Sequence, residues 1–209
     1  MSTTPAAPPA YELVGRTRQK LRTRQVLIEA ARKLVAEGSA PSVEEAAAAA
    51  GISRTTAYRY FASQAALLYA AHPEIERTSL LPEEPPEGAE ERLDVVIEEL
   101  TRILLYSEPQ QRTMLRLSLE GRGERKDLVL RKGRAVGWIE EALAPLRGRV
   151  SAKKLRRLVL AIRSAVGIEA MVWLTDVAGL SRKEAVSLMR WSARSLLAAA
   201  LAESAAERA

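Results

Sequence analysis

The stretch from Ser42 to Phe61 limits the fold more than any other part of the chain. Ser42, with Glu45 three residues on, forms a capping box, and Val43 to Ala50 follows in helix-forming residues. Gly51-Ile52-Ser53 reads as a turn, and Ser53 caps a second short segment, Arg54-Thr55-Thr56-Ala57-Tyr58-Arg59-Tyr60-Phe61. A short helix, a tight glycine turn and a second short helix make helix-turn-helix grammar. Such a unit presents its second helix to the DNA major groove, which admits one helix and shows a distinct donor and acceptor pattern for each base pair.

The rest of the chain also reads as helix. Residues 1–15 are rich in Pro and small residues and are expected to be a disordered tail. From Leu21 the apolar positions Leu27, Ile28, Ala31, Leu34 and Val35 recur at steps of three and four until Gly38. Ser63 caps a helix carrying Leu67, Leu68 and Ala71, which Pro73 brings to an end at His72. Leu81-Pro82-Glu83-Glu84-Pro85-Pro86-Glu87-Gly88 reads as a linker. Further helices are expected over Glu90–Tyr106, Pro109–Glu120, Lys126–Leu143, Ser151 to about Val177, and Ser181 to about Ala206, the last opened by a Ser181–Glu184 capping box. Alternation with period two is not sustained anywhere, and aromatics are 4%. The fold expected is all-α with about nine helices. The expected domains are a tail over 1–15, a three-helix helix-turn-helix domain over 16–72, a Pro/Glu-rich linker over 73–88 and a C-terminal helical bundle over 89–209.

Composition narrows the function. The 209 residues include no Cys and a single His, His72. That leaves no thiol nucleophile, no imidazole cluster for a metal and no relay, so neither a metal nor a cofactor is expected, and no catalytic residue is assigned. No apolar run approaching the roughly 18 residues of a membrane span is apparent, and the N-terminus has no signal-peptide pattern. With 47% apolar residues and a mean hydropathy of −0.11, a cytoplasmic globular protein with little catalytic equipment is expected. Charge is uneven: residues 71–110 hold 11 acidic and 3 basic side chains, residues 111–163 hold 15 basic and 5 acidic. The pI of about 9.8 points to a polyanion partner only weakly, since a solvated charged surface gives the same figure.

From Thr23 to Leu68 the chain resembles the TetR/AcrR (tetracycline-repressor) family of bacterial regulators. The resemblance rests on Thr23-Arg24, Glu29-Ala30-Ala31, Leu34, Glu37-Gly38, Ser42-Val43, Ala46-Ala47, the unbroken run Ala50 to Phe61, and Ser63 to Leu68. Departures are small residues at Val35, Ala46 and Ala57 where the family often has larger ones, Thr55 where Gly is common, and Gln64 where a phosphate-contacting Lys is common. The resemblance implies double-stranded DNA as partner, with Arg54, Thr55 and Arg59 reading base edges. Thr56, Tyr58 and Tyr60 would anchor phosphates, and Gln64 could still hydrogen-bond one without charge. Ser42 and Glu44 would touch backbone or bases, Glu44 accepting from a cytosine amine or, as the more ordinary reading, standing solvated and stabilising the helix dipole. Two Arg on one helix suggest guanine in the half-site. Tyr58 and Tyr60 could instead be core aromatics, and the basic ladder Arg16 to Arg24 either a minor-groove arm or a solubilising segment.

The second half resembles the family only in layout. A homodimer must hold two reading helices about 34–36 Å apart. Leu158 and Ile162, with Met189, Ala193, Leu196, Leu197 and Ala200, form apolar stripes. Each helix has more apolar surface than one face requires, so both pairing between subunits and packing on the subunit's own core are expected. Leu104, Met114, Leu117, Trp138, Met171 and Trp173 could line a pocket for a small-molecule effector or simply fill a core. The function expected is a repressor that binds a palindromic operator as a dimer and is released by an effector. A DNA-binding architectural protein without effector is the alternative, and an enzyme on a helical bundle a more distant one.

Overall fold

The computed structural model describes residues 10–72, 77–120 and 134–207. The chain divides into two compact units, Met1–His72 and Pro73–Ala209. Among the described residues there is no strand, and the all-α expectation holds.

The first unit contains α1 (Ala10–Ala36), α2 (Val43–Ala49), α3 (Arg54–Tyr60) and α4 (Gln64–Ala71). Helix α1 begins inside the stretch expected as a disordered tail. The prolines of that stretch stop at Pro9, so nothing from Ala10 onward removes a backbone donor. Two glycine stops shape the unit. Gly38 takes φ +87°, Ser39 N–H donates to Leu34 O at 3.0 Å and Gly38 N–H to Val35 O at 2.9 Å. Gly51 repeats this after α2 with φ +64°, as Ile52 N–H reaches Ala47 O at 2.9 Å and Gly51 N–H reaches Ala48 O at 3.2 Å. Both are Schellman endings, which need a left-handed residue and favour glycine. Ser42, Ser53 and Ser63 each accept from the backbone N–H three residues on, as expected, and Glu45 returns the bond to Ser42 N–H at 2.7 Å. The core is small: Leu27, Ile28, Ala31, Val43, Ala46, Ala47, Ala57, Phe61, Leu67, Ala70 and Ala71.

The second unit holds α5 (Ala89–Tyr106), α6 (Glu108–Glu120), α7 (Arg134–Ala142), a 3₁₀ turn (Ala144–Leu146), α8 (Ala152–Ala165), α9 (Ile168–Val172) and α10 (Arg182–Ala206). Residues 121–126 of the expected helices and loops, and the first turns of the helix expected from Lys126, lie outside the described residues. The helices α5, α7, α8 and α10 surround a core that includes Leu93, Ile97, Ile139, Leu143, Val159, Ile162, Met171, Met189 and Leu197. Residues 77–88, part of the expected linker, carry no helix before Gly88 but are fastened to this unit. Leu80 is buried, Trp138 Nε1–H donates to Thr78 O at 3.0 Å, and Arg77 pairs with Glu99 at 2.6 Å.

The single helix expected from Ser151 to about Val177 is interrupted. Val166 is extended and Gly167 sits at φ +155°, which ends α8 and starts α9. Helix α9 then widens over Trp173–Val177 into a π-type turn, with Ala178 N–H donating to Trp173 O at 2.9 Å. The break divides one expected helix into α8 and α9. The expectation of no membrane-length apolar run is also corrected. Ala152–Val177 contains an 18-residue window of mean hydropathy 1.6, long and apolar enough to cross a bilayer. Gly167 interrupts this stretch, and 39% of the window is buried, with Leu158, Val159, Ile162 and Met171 in the unit's own core.

Candidate nucleic-acid interface

Helix α3 has one apolar face and one polar face. Ala57 is fully buried, and Phe61, four residues on, is buried with it. Arg54, Thr55, Tyr58 and Arg59 point to solvent. Thr56 is half-buried and its Oγ1 accepts from the Ser53 hydroxyl at 2.9 Å, so it belongs to the cap. Tyr60 is half-buried against the core of the unit, which makes it an edge residue with an apolar footing. Ser42 is spent on the cap of α2, where its hydroxyl accepts from Glu45 N–H at 3.1 Å. The Ser42 backbone and side-chain hydrogen bonds hold the Glu45 carboxyl below its ordinary pKa. Gln64 donates from Nε2 to Ala40 O at 2.8 Å, tying the start of α4 to the loop before α2.

Three of the exposed polar groups are joined. Arg54 Nη2 lies 2.8 Å from Glu44 Oε1, and the Tyr58 hydroxyl donates to the same oxygen at 3.1 Å. The Arg54 guanidinium also sits 5.6 Å from the centre of the Tyr58 ring. Glu44 is thus closely engaged with α3, through both Arg54 and Tyr58. Sequence alone gives the helix faces of α2 and α3 but not the angle between them, and that angle decides which side chains meet.

The basic ladder continues this surface on α1. Arg18, Lys20, Arg22 and Arg24 are exposed. Arg24 lies 5.3 Å over the Phe61 ring. Arg18, Gln19, Arg22, Thr23 and Val26 line a groove with Ile52 from the turn before α3. The described part of the ladder therefore lies along a helix, with its side chains exposed and Arg24 over Phe61.

The second unit places its candidate residues differently. Leu104, Met114, Trp138 and Met171 are buried, Leu117 is half-buried, and Trp173 is 58% exposed on the widened turn. Trp173 therefore does not line an interior cavity. Of the seven residues read as a dimer interface, Leu158, Ile162, Met189, Ala193 and Leu197 are buried inside one copy, while Leu196 and Ala200 are half-buried against the same core. Those stripes pack on the core of their own subunit, one of the two uses expected of them. A different face of α10 is more open: Leu188, Trp191, Ala199 and Ala202 are exposed and Ser195 between them is half-buried, at helical steps.

One charged cluster braces this unit. Glu108, nearly buried, receives Arg112 at 2.8 Å and Arg182 at 2.6 Å, and Arg112 forks onto Asp176 at 2.6 and 2.9 Å. Burial pushes the Glu108 carboxyl up, but the hydrogen bonds from Arg182 and Arg112 outweigh it and leave the pKa below the ordinary value. The Arg112 hydrogen bond, with help from Thr175, lowers Asp176 to about 2. The cluster ties α6 to the widened turn and to the start of α10, and each charge in it has an opposite partner. Among the described residues no three metal-ligating side chains converge.

Residues 27–71, from the middle of α1 to the end of α4, match the family model described as bacterial regulatory proteins, tetR family. No curated protein matches the chain.

Proposed function

We propose, from the premise that residues 27–71 make this chain a DNA-binding transcriptional regulator of the bacterial tetR family, that it acts as a repressor on a palindromic operator. The observation that carries the reading is the split of α3 into a buried Ala57–Phe61 face and an exposed face of Arg54, Thr55, Tyr58 and Arg59. A helix held by Ser53 at its start and by two apolar side chains beneath can enter a groove without unfolding anything. Arg54 and Arg59 then offer planar forks that match guanine O6 and N7. Thr55 contributes a methyl and a hydroxyl to the same edge. Tyr58, with Thr56 and Tyr60 beside it, fixes register on phosphates, and the cations of α1 add affinity that falls with salt. Ser42 and Gln64 act one step back, by setting α2 and α4 under the contact.

The operator is read by a homodimer in this proposal. The pairing surface is the exposed face of α10 around Leu188 and Trp191, in place of the buried stripes. A large aromatic left 64% exposed on a helix is the kind of side chain that interfaces enrich. A small-molecule effector would release the DNA by favouring a mis-spaced pair of reading helices, with a coupling of about 1–3 kcal/mol. Support for that step is family resemblance alone. The protein then acts without catalytic chemistry, metal, cofactor or membrane, in the cytoplasm.

Selection of bound duplexes from a random pool, followed by titration at physiological salt, tests this reading. A recovered inverted repeat, bound with at least about 10³-fold preference over random duplex, is the expected result. Equal affinity for random duplex would favour a DNA-binding architectural protein.

A further inference from the structure

Glu44 is a carboxylate on a surface that must approach a polyanion, and neither the capping of α2 nor the core of the domain requires it. The α2 cap is made by Ser42 and Glu45, and Glu44 lies outside the buried cluster. What Glu44 does is accept from two residues of α3 at one oxygen, Arg54 Nη2 at 2.8 Å and Tyr58 Oη at 3.1 Å. Arg54 is otherwise a long side chain with 73% of its surface in solvent, and such a chain samples many rotamers unless something selects one.

We propose that Glu44 is a specificity-determining positioning residue: it fixes the Arg54 guanidinium in one orientation and makes base reading strict at the expense of total affinity. The proposal rests on α3 being the base-reading helix. The physical logic has two parts. The contact occupies Nη2 on one side, while the fork has further N–H groups with which to meet guanine. The carboxylate also repels phosphates, so an Arg54 that strays from its base leaves Glu44 unpaired against the backbone. A wrong sequence is thereby penalised as well as the right one rewarded. Tyr58 completes the device, because its ring supports the guanidinium from below at 5.6 Å while its hydroxyl shares the same acceptor.

The test measures base preference and affinity separately, on the full-length protein. Wild type, Glu44→Ala, Glu44→Gln and Arg54→Ala are each put through selection from a randomised duplex pool and titrated against one selected and one random duplex at two salt concentrations. Arg54→Ala identifies the base pair that Arg54 reads. In Glu44→Ala the preference at that pair is expected to fall about three- to tenfold, the cost of re-ordering a freed Arg. Binding to random duplex should tighten at low salt and return toward the wild-type value at high salt. Glu44→Gln keeps an acceptor oxygen for both donors and should retain most of the preference while showing the same salt-dependent gain in affinity. A purely structural role would lower thermal stability and weaken all duplexes alike. If Glu44→Ala keeps the wild-type preference at the pair that Arg54→Ala has lost, the proposal is overturned and the reading of α3 stands. If wild type selects no common sequence, the reading of α3 falls first and the proposal with it.

Discussion

The two units answer the same question, which side of a helix is functional, in opposite ways. In the first, α3 is seven residues long and its sides are told apart by residue type: Ala57 is buried, and Arg54, Thr55, Tyr58 and Arg59 are exposed. In the second, α8 and α10 carry apolar residues over more than one face, and the stripe that looked ready for a partner is spent inside the subunit. A polar residue on a surface helix has little competition for its role. An apolar residue at helical spacing fits a core and an interface equally well, because both bury it against another helix.

The largest effect that would break this contrast lies in the second unit. Leu197→Ala is expected to destabilise the protomer by about 2–5 kcal/mol, the range for a buried Leu that leaves a cavity. Chemical denaturation at several protein concentrations checks it. A loss of self-association with protomer stability unchanged would return Leu197 to the interface and undo the contrast. Arg54→Ala is expected to leave stability within about 0.5 kcal/mol of wild type, as an exposed position should. Its affinity for the selected duplex should fall by about 1–3 kcal/mol. Fluorescence anisotropy with thermal melts separates the two, and a destabilised variant with undiminished affinity would mean that α3 is not the reading surface.

Acid sharpens the contrast further. Hydrogen bonding from Arg102, aided by Arg77 and opposed by burial, lowers Glu99 to about 2, and the Arg112 contact lowers Asp176 to about 2. A carboxylate with a depressed folded pKa stabilises the fold above its unfolded pKa of about 4, and that contribution is lost as pH falls toward 2. Glu99 pairs with arginines that are themselves exposed, 40% for Arg77 and 61% for Arg102, and contributes about 1 kcal/mol or less. The second unit should therefore weaken between pH about 5 and 2, and Arg112→Met should flatten that part of the profile. Unfolding midpoints followed by circular dichroism against pH check the sign; an unchanged slope in Arg112→Met would remove the cluster from the account of stability.

How much of this was legible in the sequence follows from what each signal encodes. Capping serines and the glycines at 38 and 51 specify local backbone geometry, and every one of those stops appears where the residues place it. The two faces of α3 follow from a step of four between Arg54 and Tyr58 and between Ala57 and Phe61. The Glu44 contact was out of reach because it depends on the packing angle between α2 and α3. Gly167 was a readable break, hidden by the apolar residues on either side. The π-type turn over Trp173–Val177 carries no marker in composition, so its effect on the side chains after it was not readable. Leu158, Ile162, Met189 and Leu197 show the same limit: their period is right, and the period says nothing of the partner.

The smallest expected effect is the most discriminating for the second unit. Trp191 stands on the exposed face of α10, flanked by Leu188 and Ser195, while Arg190 and Arg194 reach back to Glu98 and Asp94 on α5. Because the indole is not part of the protomer core, Trp191→Ala should change protomer stability by about 0.5 kcal/mol or less. If this face pairs two copies, the same substitution removes a central aromatic anchor, and sedimentation velocity should show the dimer dissociating at protein concentrations where wild type stays paired. Operator affinity would then fall with protein concentration while binding to a single half-site stays as in wild type. A Trp191→Ala protein that remains paired at those concentrations would move the pairing surface elsewhere on the second unit and leave the α3 surface untouched, since α3 belongs to the other unit.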